Sequence, residues 1–99
     1  MLALKSDTVL ALEQGVVLHS LLGQDHFFVF SVISGDEFKL NRTSFWVLES
    51  IGKGVKWDEL KSSFLKTFDV APEQGELDIC EIIEQFLNEK IIRRRDNGK

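Results

Sequence analysis

Tyrosine is absent from this 99-residue sequence, and cysteine, proline and methionine occur once each. A lone Cys80 leaves no internal disulfide, so packing alone must hold the fold, as is usual in a reducing compartment, and the cytoplasm is the expected location. No run approaches the roughly 18 consecutive apolar residues of a membrane span. Lys5, Asp7 and Glu13 break up the amino-terminal apolar pieces, so neither insertion nor secretion is expected. Cations are outnumbered, 12 Lys and Arg against 16 Asp and Glu, for a formal net charge of -4. Nucleic acid and anionic membrane both reward an excess of Lys and Arg, so neither is an expected partner, and a basic segment suits this surface better.

Catalytic chemistry is equally sparse. His19 and His26 with one cysteine give no metal-ligand spacing of the usual kinds. There is no Gly-rich phosphate loop and no Ser/His/Asp grouping, so no catalytic residue, metal or cofactor is expected. Cys80 sits among isoleucines without a basic sequence neighbour and reads as an inert, buried thiol.

What is present is enough apolar residue, 43% of the chain, for one core and one domain. Residues 1–15 have no long period and read as an amino-terminal arm, in which Thr8 to Leu12 form a short strand or a loosely packed piece. Val16 to Leu22 is a β-branched and aliphatic run; Gly23-Gln24-Asp25 is a turn, and His26 to Ile33 a second strand with apolar groups on both faces. Ser34-Gly35 signals a two-residue turn into a third strand, Asp36 to Leu40, whose alternation leaves one wet face and a free edge.

At Asn41 the period changes to about 3.6, and the Asn41 side chain can cap a helix from Arg42 to about Ile51 that buries Ser44, Val47, Leu48 and Ile51, with Phe45 or Trp46 at the margin, and ends at Gly52-Lys53-Gly54. Trp57, Leu60, Phe64 and Phe68 line one face of a second helix. Pro72 fits the first turn of a third, which Gly75 weakens and which continues through Leu77, Ile79, Cys80, Ile82, Ile83, Phe86 and Leu87, a stripe of about 160°, wider than one core contact needs. Extended character returns at Lys90-Ile91-Ile92, and residues 94–99 read as a fraying polar tail. The expected class is α+β and winged helix-turn-helix-like, a three-stranded antiparallel sheet followed by three helices.

Ser34-Gly35, Phe38-Lys39-Leu40-Asn41-Arg42-Thr43, Trp57-Asp58-Glu59-Leu60, Phe64, Phe68-Asp69-Val70, Asp78-Ile79 and Phe86-Leu87 fall in one register. In that register the chain resembles the PqqD-like family over residues 16–93. The resemblance implies a RiPP recognition element: a non-catalytic domain that binds the leader of a ribosomally made precursor peptide. The hairpin form resembles stand-alone members of lasso-peptide pathways, which implies a leader protease and a macrocyclase as further partners. Three positions depart from the family pattern: Ser44 stands for Gly, Phe38 for Tyr, and Lys90-Ile91 lacks a Gly before the last apolar pair.

The resemblance further implies that the leader lies antiparallel along the third strand, beside the third helix. That maps the site onto Glu37, Phe38, Lys39 and Leu40 and onto Ile79, Cys80, Ile83 and Leu87, with Glu76 and Glu84 favouring a basic leader residue. By itself a helical apolar stripe is ordinary core and an alternating strand an ordinary edge, so both readings stand side by side. Two other classes stay open: a winged-helix DNA-binding regulator using Arg93-Arg94-Arg95, and an adaptor that docks a folded protein on Phe45 and Trp46. A free edge also makes a monomer or a weak homodimer the expected state.

Overall fold

The computed structural model describes residues 4–20, 26–52 and 54–95. The expected turn at Gly23-Gln24-Asp25, the neighbouring Leu21 and Leu22, Lys53 and the tail from Asp96 onward lie outside the described residues.

The elements run β1 (Val9–Leu12), β2 (Val16–Ser20), β3 (Phe27–Ser31), β4 (Glu37–Leu40), α1 (Arg42–Ile51), β5 (Val55–Lys56), α2 (Trp57–Thr67), α3 (Pro72–Asn88) and β6 (Ile92–Arg95). The three expected strands form one antiparallel sheet in the order β2-β3-β4, with Phe30 opposite Glu37 and Phe27 opposite Leu40. Three helices follow, so the fold is α+β and winged-helix-like. The turn into β4 is longer than two residues: β3 stops at Ser31, and Val32 to Gly35 form a loop closed by the Gly35 amide donating to the Ser31 carbonyl at 2.8 Å. Gly35 takes φ 80°, the left-handed conformation glycine adopts without strain.

A second sheet, in the order β5-β1-β6, was not foreseen. Of the two readings of Thr8 to Leu12, the short strand holds and supplies the centre of this sheet: β1 pairs with β5 on one side and with β6 on the other, and Leu10 is 0% exposed. Arg94 and Arg95, read as the start of a fraying tail, are strand residues opposite Leu10 and Val9. Main-chain bonds weld this sheet to its neighbours: the Trp57 amide donates to the Thr8 carbonyl at 2.8 Å, and the Glu13 amide to the Ile91 carbonyl at 2.9 Å.

Both sheets and all three helices share one core containing Leu10, Val29, Leu48, Ile51, Leu60, Ile79, Ile83 and Ile92. Asn41 caps α1 as expected, its Oδ1 accepting the Ser44 amide at 2.7 Å. Within α1, Phe45 is buried and Trp46 half-buried, Trp46 packing edge-on against Phe64 and Phe68; Ser44 is only half-buried, so the inward stripe is Phe45, Val47, Leu48 and Ile51. Phe45 and Trp46 together line a cleft of about 280 Å³ with Phe27, Arg42 and Phe68. Gly75 is buried where α3 crosses α2, and a side chain there would collide with Leu65 and Val70. Close helix approach thus accounts for a glycine that costs helix stability.

The end of α3 holds a second conformational exception. Lys90 has φ 61°, the only positive φ outside glycine among the described residues. Its amide donates to the Leu87 carbonyl at 3.1 Å and the next amide, of Ile91, to the Phe86 carbonyl at 3.0 Å, the bond pair of a Schellman motif, with Phe86 and Ile91 both buried. The glycine missing at this point of the sequence pattern is one whose conformation the chain still requires.

Candidate functional site

β4 bonds to β3 along one side, and no described strand pairs with its other side. The Ser31 amide donates to the Asp36 carbonyl at 2.9 Å, which fixes the alternation of the ladder. Stepping by two from that pair, Phe38 and Leu40 turn their main-chain groups toward β3, and Glu37 and Lys39 turn theirs outward. Side chains alternate in the same sense: Phe38 and Leu40 are half-buried over the core, Glu37 and Lys39 exposed.

Two clefts lie at the ends of this edge. The first, about 430 Å³, holds Asp36 and Phe38 at the start of β4, facing Glu89, Lys90 and Arg93 where α3 turns into β6. The second, about 400 Å³, begins at Asn41, just beyond Leu40, and is walled by Phe64, Phe68 and Val70 on one side and by Asp78, Glu81, Ile82 and Gln85 of α3 on the other. Phe38 and Asn41 are three residues apart, so the clefts are separated by about 10 Å of extended chain.

The α3 residues named from the sequence do not line either cleft. Ile79 and Ile83 are 0% exposed and belong wholly to the core. Cys80 and Leu87 are half-buried, and Glu76 and Glu84 exposed, and none of the four lines a cleft beside β4. Glu76 Oε2 lies 3.8 Å from Lys61 Nζ of α2. At about 100° per residue, Asp78, Ile82 and Gln85 occupy the side of the helix about half a turn away from Glu76, Cys80 and Leu87. The cleft-facing carboxylates are therefore Asp78 and Glu81, not Glu76 and Glu84. Sequence periodicity fixes the width of an apolar stripe but not which margin meets β4, and Gln85 and Asp78 carry no apolar signal at all.

Burial pushes the Cys80 thiol up from its ordinary value; Glu76 adds to the rise, Lys61 opposes it and Glu84 adds a further part. That keeps the thiol protonated near neutrality and suits packing rather than nucleophilic attack. Among the described residues, no group of three His, Cys, Asp or Glu could hold a metal ion, and no helix is long and apolar enough to cross a membrane.

No family model matches the chain, and no curated protein does. Among solved structures it is similar to TbiB1, described as in complex with the TbiA(beta) leader peptide, with a TM-score of 0.70, 14% identity, and coverage of 88% of this chain and 99% of that one. At that identity the likeness is one of fold.

Proposed function

We propose that the chain is a non-catalytic leader-peptide-binding protein: it captures a ribosomally synthesised precursor by strand addition to β4 and presents it to a leader protease and a macrocyclase, in the manner of lasso-peptide pathways. The observation that carries this reading is the outward main chain of Glu37 and Lys39, between two clefts, in a fold shared with a protein solved with a leader peptide. Each main-chain bond formed there contributes about 0.5–1.5 kcal/mol net. Apolar leader side chains entering the clefts add about 1.5–3 kcal/mol each when fully buried. Backbone pairing gives affinity, and the clefts give sequence preference. The same open edge would pair copies of the chain weakly, so the leader and a second copy compete for it.

In this reading the contact set is revised to the β4 main chain with Phe38, Asp78, Glu81, Ile82 and Gln85. DNA reading is disfavoured because Arg94 and Arg95 are held in a strand, and α2 opens with Asp58 and Glu59. The test is a fluorescence-anisotropy titration with synthetic leader peptides encoded beside the gene, with a labelled DNA duplex as control. Saturable binding of one leader supports the reading; salt-sensitive DNA binding with no peptide binding overturns it.

A further inference from the structure

We infer that the cleft at the end of β4 is a subsite for one lysine or arginine side chain of the bound peptide, an inference that rests on the peptide-binding reading above. Its floor is apolar, made by Phe68, Val70 and Ile82, while Asp78 and Glu81 stand on its α3 wall. Between Pro72 and Asn88, α3 carries Glu73, Glu76, Asp78, Glu81 and Glu84 and no lysine or arginine, so the wall has one sign of charge. Gln74 Nε2 donates to Asp78 Oδ1 at 2.8 Å and holds that carboxylate in place.

A long basic side chain matches both parts at once: its methylene stem lies on the apolar floor and its charged head reaches the carboxylates. A purely apolar side chain would fill the floor but gain nothing from the carboxylates, and an acidic one would be repelled. The cleft at the other end of β4 lacks this character, because Lys90 and Arg93 there mix with Glu13, Asp36 and Glu89. The two ends of the site thus differ in charge, and the difference sets a direction. A peptide running antiparallel to β4 brings its amino-terminal side to Asn41, so the basic residue belongs at the amino-terminal end of the bound stretch.

The experiment uses the full chain and the leader peptides that bind it. Each Lys and Arg of a leader is replaced singly by norleucine, and affinity is read by anisotropy. One replacement, at the amino-terminal end of the bound stretch, should weaken binding about five- to tenfold. Glu81→Lys should weaken the parent peptide to a similar extent and regain affinity for the peptide carrying Glu at that position; Glu81 is exposed, and circular dichroism checks the fold. If a leader binds but no replacement changes affinity by more than about twofold, or Glu81→Lys binds the parent unchanged, the subsite is refuted and leader binding stands. If no leader binds, both fall.

Discussion

The β2-β3-β4 sheet and the β5-β1-β6 sheet differ in how their strands reach each other and in what they cover. The first is assembled from consecutive hairpins, and its outer face leaves Val17 50% and Phe30 37% exposed. The second joins segments from opposite ends of the described chain, Val9 pairing with Arg95, and its inner residues Leu10 and Ile92 lie in the core. The long-range sheet closes the fold, which leaves the local sheet free to keep one edge open. Under the proposed function, stability and recognition are thereby separated in space.

Core truncation in the closing sheet should produce the largest effect. Leu10→Ala is expected to cost about 2–5 kcal/mol, read by urea denaturation, whereas Phe30→Ala on the outer face of the other sheet should cost less than half as much; equal losses would break the contrast. Next comes the open edge. Lys39→Pro removes an amide that points away from β3, so it should weaken leader binding at least about tenfold while shifting Tm by only a few degrees. A large fall in Tm would mean that the ladder alternation is the reverse of the one derived from Ser31 and Asp36.

Smaller effects sharpen the same division. Lys90→Gly, in the turn that leads α3 into β6, relieves a left-handed lysine and should stabilise the domain by about 1 kcal/mol in thermal melts. Under the proposed contact set, Cys80 reports on the side of α3 away from the peptide. Because its thiol is raised, it should alkylate more slowly with iodoacetamide at pH 8 in the folded chain than in urea. Lys61→Met, which removes the one charge that lowers it, should slow alkylation further, and Glu76→Gln should speed it. Bound leader should leave the folded rate unchanged; protection of Cys80 would return the site to the face read from sequence.

Much of this division was visible in the residues. Alternation at Asp36 to Leu40, the Asn41 cap and the spacing of Trp57, Leu60 and Phe64 each act over a few residues, and each local preference agrees with the structure. Extended character was legible at Thr8 to Leu12 and at Ile91-Ile92, but their pairing was not, because these strands are two to four residues long and acquire partners only from distant segments. Arg93-Arg94-Arg95 carries no strand propensity strong enough to announce β6; pairing with β1 imposes it. Leu77 shows the limit of periodicity on α3, since it continues the apolar pattern yet is 63% exposed. The candidate strand could be read from composition, but its facing helix wall required the rotation of α3 about its axis, which follows from Gly75 seating against Leu65 and Val70.

The β1–β6 pairing also makes the domain portable. Val9 and Arg95 are register partners about 5 Å apart, and the described chain runs past them only by residues 4–8, so its two ends approach the same sheet. A host protein could carry the whole unit in a single surface loop without stretching either junction. Since both junctions sit on the closing sheet, such a graft would tether the recognition edge to an enzyme while leaving that edge turned outward.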